Sequence, residues 1–309
     1  MRVVFMGTPD FSVPTLECLI KEHEVIAVVT QPDKPKGRGK AMQFPPVKEF
    51  ALAHDLPVYQ PLKVRDEEFL ALLRSWDPDV IVVVAFGQIL PESIINLPRY
   101  GCINVHASLL PRYRGAAPIQ WVIINGETET GVTIMYMEKG LDTGDMIAKA
   151  SIPIEPDETG ESLHDKLSVL GGPLLLQALR QIREGTAPRI KQDDSLSCYA
   201  GMLTRDMGRI DWEKDAVSIE RLIRGLNSWP SAYTSYENTT LKIWKAEVAE
   251  GKKSEIPGRI IHVDKTSFTV QTGNGALKIL EVQIQGKKRM PVQAFLLGHT
   301  VRPGMTLGD

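Results

Sequence analysis

The chain has 309 residues, 43% apolar and 24% charged, with a formal net charge of −2, the balance of an ordinary soluble protein long enough for two domains. No apolar run reaches the roughly 20 residues a bilayer-spanning helix needs, and Pro9 and Asp10 interrupt the first apolar stretch too early for a secretory leader. Cys18, Cys102 and Cys198 are too widely spaced for a metal pattern or an obvious disulfide framework, so the expected compartment is the cytoplasm and no metal is expected.

Short β-branched or apolar runs at residues 2–6, 25–30, 80–85 and 102–106 predict buried parallel strands. Helical patterns lie between and after them, at 10–21, 46–54, 67–76 and 116–125. Residues 130–137 and 145–154 read as further strands, and 163–183 as a long amphipathic helix. Strands alternating with helices predict an α/β fold, a doubly wound Rossmann-like, mostly parallel sheet over residues 1–186. Gly7-Thr8-Pro9 follows the first strand without the Gly-x-Gly-x-x-Gly fingerprint, which argues against a nicotinamide or flavin enzyme. Gly37-Arg38-Gly39-Lys40 lacks the spacing and the Ser or Thr of a P-loop.

Periodicity fades after the long helix. Gly185, Thr186, Pro188 and the polar run at 191–197 predict a linker over 187–206. Beyond it the texture changes to short strands, at 242–248, 258–263, 267–272, 276–285 and 301–304, with Asn274-Gly275 as a strong turn signal. Five strands in about a hundred residues fit a small C-terminal OB-like β-barrel over 207–309. From Met207 onward there are 15 Lys and Arg against 11 Asp and Glu, whereas the rest of the chain has 21 against 27. A modestly basic C-terminal third on an acidic body suits a polyanionic partner.

The residues that carry chemistry centre on Asn104 and His106. In the strand at 102–106, Ile103 and Val105 share one face and Asn104 and His106 the other, because side chains repeat with period two. A polar pair on a buried strand is costly unless its hydrogen bonds are satisfied or used. His106 stands at the carboxyl end of that strand, where open parallel sheets bind ligands. Asp142, flanked by glycines, reads on its own as a turn former. If it meets His106, a carboxylate beside an imidazole favours the imidazolium and fixes its orientation. Asn104 and His106 would then donate towards one developing oxyanion, an arrangement suited to acyl or formyl transfer.

Asn104-x-His106, Ser108-Leu109-Leu110-Pro111 with Arg114-Gly115, and Leu141-Asp142-Thr143-Gly144-Asp145 resemble the enzymes that transfer formyl from 10-formyltetrahydrofolate. Within that superfamily nearly the whole chain is similar to the methionyl-tRNA formyltransferases, through residues 3–11, 37–40 and 225–233. Ser228 and Ser231 stand where small or proline residues are expected, a minor departure. The resemblance implies 10-formyltetrahydrofolate as cosubstrate, methionyl initiator tRNA as acceptor, a monomer, and a role in translation initiation. It implies Asn104, His106 and Asp142 as catalytic residues. It also implies a folate crevice between Phe86, Gly87, Gln88, Ile89 and Leu90 and the loop of Lys139, Gly140 and Leu141, bordered by Ser108, Leu109, Leu110, Pro111 and Arg112. The basic loop at 31–48 would touch the acceptor stem, through Arg38 first and Lys40 second. A charge run of that kind is otherwise a solvated loop, and Lys287-Lys288-Arg289 serves solubility as readily as RNA contact. The shared core gives the chemistry but not the acceptor. The rivals are therefore formyl transfer to an amino-sugar nucleotide or a purine precursor, hydrolysis of the formyl donor, and a tRNA-binding module with a vestigial site.

Overall fold

Residues Val80–Val84, all Val or Ile, are buried along their whole length, as a central strand covered on both faces requires. They lie inside a seven-stranded sheet. The computed structural model describes residues 1–36, 41–252 and 254–308. The chain clusters into two units, one of residues 1–115, 129–153 and 164–200, the other of 116–128, 154–163 and 201–309.

The first unit runs through β1 (Arg2–Gly7), α1 (Val13–Glu22), β2 (Glu24–Val29), a short hairpin of β3 (Lys34–Lys36) and β4 (Ala41–Gln43), α2 (Pro46–Ala53) and β5 (Val58–Tyr59). It continues with α3 (Glu67–Ser75), β6 (Val80–Val84), α4 (Glu92–Ile95), β7 (Cys102–His106) and β8 (Arg114–Gly115). After α5 (Pro118–Ile124), which clusters with the second unit, come β9 (Glu129–Tyr136), β10 (Met146–Pro153), α6 (Gly160–Glu184) and β11 (Tyr199–Ala200). The sheet order is β10-β9-β7-β6-β1-β2-β5. The five strands from β5 to β7 are parallel, and β9 and β10 extend them antiparallel.

Register fixes which side chains share a face. Val83 pairs with Asn104 and Ile81 with Cys102, so Asn104 and His106 stand on the face packed by Phe69, Leu73, Phe86 and Ile94. Ile103 and Val105 point to the other face. There α6 approaches closely through two glycines: a Cβ on Gly171 would sit 2.9 Å from Val105 Cγ1, and one on Gly172 2.6 Å from Cys18 Sγ. The strand that carries the polar pair is thus backed by a helix that has no room for side chains at the contact.

The second unit contains α7 (Ala216–Gly225), β12 (Ala232–Tyr236), β13 (Thr239–Ala249), β14 (Ile260–Val263), β15 (Phe268–Gln271), β16 (Ala276–Ile284), β17 (Met290–Pro291) and α8 (Val292–Phe295). Its sheet is antiparallel, in the order β12-β13-β16-β15-β14 with β17 beside β16. Trp212, Ile219, Ile223, Phe268, Leu277, Ile279 and Phe295 form its core. No strand forms at the expected 301–304: Pro303 and Gly304 make a turn, with Gly304 at φ +94°, and pairing with the start of β14 begins only at Gly304, whose N–H donates to the Ile260 carbonyl, with Thr306 bridging Arg259. Among the described residues no helix is long and apolar enough to cross a membrane.

Candidate active site

The carboxyl ends of β1, β6 and β7 are followed by loops, and β7 delivers Asn104 and His106 to this end of the sheet. Both are buried, at 9% and 6% exposure. Buried polar groups are almost always hydrogen-bonded, yet the Asn104 amide makes no hydrogen bond among the described residues. His106 is anchored differently. Its Nε2 lies 2.9 Å from the Tyr113 carbonyl oxygen, which only accepts, so the ring hydrogen is assigned to Nε2. Nδ1 is left as the nitrogen available to a ligand.

The loop between β9 and β10 folds back over the face that carries this pair. It brings Asp142 Oδ2 to 3.7 Å from His106 Nδ1, close enough for an ion pair with the protonated ring and too long for a hydrogen bond. The same oxygen accepts the Gly115 backbone N–H at 2.8 Å. Asp142 adopts φ +53°, the left-handed region that Asp tolerates better than most residues. The sequence alone does not show that Asp142 meets His106; the structure brings these two together.

The segment after β7 is built rigidly. Ser108 Oγ donates to the Arg112 carbonyl at 2.7 Å, and Thr133 Oγ1 donates to the Ser108 carbonyl while accepting from the Leu110 N–H. Lys149 Nζ donates to the Leu110 carbonyl, and burial holds its ammonium below the ordinary lysine value. Ser108 and Leu110 are fully buried, Leu110 against Met135 and Met146, so their side chains shape the wall. Leu109 and Pro111 are half-buried and Arg112 is exposed.

The remaining positions expected to contact folate divide in the same way. Phe86 and Leu90 are buried. The Phe86 carbonyl accepts from Thr8 Oγ1 at 2.8 Å and Gln31 Nε2 at 3.3 Å. Gly87 takes φ +87°. Gln88 ties this loop to its neighbour, accepting from the Val64 N–H and donating to the Pro61 carbonyl. Ile89 and Leu141 are 91% and 57% exposed. Gly140 has its Cα against Thr143, whose Oγ1 a Cβ would meet at 2.2 Å, and Lys139 is exposed, 4.0 Å from Glu92. Arg38 and Lys40 lie outside the described residues. A cleft of about 450 Å³ beside Tyr100, Cys102, Tyr136, Glu138 and Arg189 opens at the start of β7, away from His106.

Residues 1–179 match the model of the formyl transferase family, and residues 202–300 that of the formyl transferase C-terminal domain. The methionyl-tRNA formyltransferase of Agathobacter rectalis is 57% identical over 305 residues, 98% of each chain. The chain belongs to the methionyl-tRNA formyltransferase family. The relative from Clostridioides difficile is 52% identical over the full length of both proteins. Among solved structures, this formyltransferase shares its fold with the Helicobacter canadensis N-formyltransferase in complex with folinic acid and dTDP-3-aminofucose. That match has a TM-score of 0.67 and 21% identity, and covers 90% of this chain and 98% of the other. HypX of Aquifex aeolicus in complex with tetrahydrofolic acid matches at 0.62 and 19% identity, over 96% of this chain and 47% of its own.

Several residues that build the site escaped the sequence reading. Arg114 and Gly115 stand out in the sequence only as part of the motif they share with Ser108-Leu109-Leu110-Pro111. The Tyr113 carbonyl and Gln192 carry no signal that a sequence pattern could reveal, since one is main chain and the other a lone glutamine in a polar run.

Proposed function

We propose that the chain transfers a formyl group from 10-formyltetrahydrofolate to the α-amino group of methionyl initiator tRNA, with Asn104, His106 and Asp142 as its catalytic residues. The buried, unpartnered Asn104 amide beside His106 and Asp142 carries the reading. A bound folate supplies an activated formyl carbonyl. Asn104 Nδ2 donates to the formyl oxygen as negative charge develops there. His106 presents Nδ1 to the same region, its orientation set by the Tyr113 carbonyl. Asp142, held by the Gly115 N–H, faces that nitrogen. The proton shed by the attacking amine passes to this imidazole–carboxylate pair and returns to the departing folate nitrogen.

The residues present suit such a donor. Ile89 and Leu141 offer exposed apolar surface that a ring system would cover, and main-chain groups of 86–90 and 139–142 can read a pterin edge. For the acceptor, the full-length relatives named methionyl-tRNA formyltransferase support tRNA over a sugar nucleotide. The unit from about residue 207 is read as OB-like and tRNA-binding, with Arg38 and Lys40 as contacts to the acceptor stem.

The test is formyl transfer from 10-formyltetrahydrofolate to methionyl initiator tRNA, with uncharged tRNA and free methionine as controls and His106→Ala beside the parent. Formylation of the charged tRNA alone, lost in the variant, is expected. A parent that binds folate but leaves methionyl-tRNA unformylated overturns the reading.

A further inference from the structure

Gln192 lies in the stretch between α6 and β11 whose fading periodicity predicts a linker, yet all its hydrogen-bonding capacity is spent on the site. Its amide nitrogen donates to the carbonyl oxygens of Asp142, at 2.8 Å, and Gly144, at 2.9 Å. Its amide oxygen accepts from Arg114 Nε at 3.0 Å and from a terminal guanidinium nitrogen at 2.9 Å. A primary amide has two N–H donors and two acceptor lone pairs; the two carbonyls and Arg114 match them, and Met135 Sδ makes a longer contact to the amide nitrogen at 3.9 Å.

The chain on either side is pinned as well. Ile190 and Met146 exchange two backbone hydrogen bonds. Beyond Gln192, the Cys198 carbonyl accepts the Arg114 N–H, Cys198 Sγ accepts the Tyr113 N–H, and β11 pairs in parallel with β8. Asp194 takes the second terminal contact of Arg114 at 2.7 Å. The turn that carries Asp142 is therefore fastened from behind by a side chain 50 positions later.

We propose that Gln192 is a positioning residue for formyl transfer: with Arg114 it clamps the Asp142–Gly144 turn, and so fixes the Asp142 carboxylate against His106 Nδ1. The inference rests on the reading of Asp142 as part of the catalytic group. Gln192 touches no reacting atom; it acts by holding Asp142 in its left-handed conformation, which a free loop would populate only in part. A shift of the carboxylate by an ångström is enough to lower the rate about a hundredfold.

Gln192→Glu tests this, because the carboxylate still accepts from Arg114 but cannot donate to the two carbonyls and repels them. Gln192→Ala, which removes both sets of bonds, and Asp142→Asn accompany it. The readouts are kcat and KM for methionyl-tRNA and 10-formyltetrahydrofolate, the melting temperature, and amide hydrogen exchange of residues 137–145 in the free enzyme. The expected result is a kcat lowered about tenfold or more in both Gln192 variants, with both KM values within about threefold of the parent. Gln192→Glu should also exchange faster in 137–145 only, with its melting temperature lowered by no more than the several degrees that two stranded carbonyls cost. Unchanged kcat and exchange in the Gln192 variants, with Asp142→Asn impaired, overturns the proposal. So does a loss that appears in KM, or one accompanied by faster exchange throughout the chain rather than in 137–145. Full activity in Asp142→Asn overturns the underlying reading of the site instead.

Discussion

Replacing Asn104 with leucine separates a catalytic amide from a structural one. Asn104 is 9% exposed on a strand buried along its whole length, and its side chain has no hydrogen-bond partner among the described residues. A structural amide would lose its bonds on substitution and strand its partners, at a cost of about 1–3 kcal/mol. Here there are none to lose: leucine of similar volume strands no protein partner and adds apolar burial on a strand that is otherwise buried. Asn104→Leu should therefore leave stability unchanged or raise it by about 1 kcal/mol. In a unit of this size that corresponds to roughly 2–4 °C in melting temperature. Transition-state stabilisation should fall in the opposite sense, by about 2.7–4 kcal/mol, or 100- to 1,000-fold in kcat. Single-turnover formyl transfer to methionyl-tRNA and thermal denaturation of the same preparation measure the two. A variant that melts well below the parent, or keeps its rate, refutes the assignment.

Three further outcomes follow from packing and charge. A Cβ on Gly131 would sit 2.0 Å from the Ala150 carbonyl oxygen in the β9–β10 ladder and 2.7 Å from Leu109 Cδ2, so Gly131→Ala should cost about 2 kcal/mol or more; an unchanged urea midpoint would contradict it. Asp215 caps α7, accepting the N–H and hydroxyl of Ser218 at 2.9 and 2.6 Å, and Asp215→Ala should lower stability by about 1 kcal/mol in chemical denaturation. Burial, foremost, and the nearby N-terminal charge hold the His23 imidazole below its ordinary 6.5, and its Nε2 has no hydrogen-bond partner among the described residues. The unfolded chain takes up that proton first, so the contribution is complete above about pH 6.5 and lost as the pH falls towards the lower folded value. Melting curves from about pH 7.5 to 5 should show a shallower acid slope in His23→Leu, and identical slopes would sink the assignment.

How much of this was legible depended on whether the signal is local. The parallel strands were, because Val80–Val84 and Cys102–His106 are buried on both faces and leave few polar positions. β12 was less so: Ala-Tyr-Thr-Ser-Tyr alternates in burial, but with Thr and Tyr doing the work of aliphatic residues. α7, amphipathic and capped by Asp215, lies between the expected linker and the first expected strand at 242–248, where the sequence predicts no element. Val301–Gly304 looked like a strand by composition, and the proline–glycine pair turned it instead. At the site, parity along one strand was enough to place Asn104 beside His106. The approach of Asp142, the anchor on His106 Nε2 and the clamp by Gln192 depend on long-range closure, which no local pattern encodes.

That closure also sets a timetable. The contacts that complete the site join residues 27, 50 and 78 positions apart, from Gly115 to Asp142, Asp142 to Gln192 and Arg114 to Gln192. A chain emerging from the ribosome carries Asn104, His106 and Asp142 before it carries the residue that fastens the last of them. At about 5–20 residues per second, those 50 residues take roughly 2.5–10 s to make. During that interval the carboxylate proposed to act beside β7 has no clamp, so a nascent chain completes this geometry only after synthesis has passed the end of the motifs that carry Asn104, His106 and Asp142.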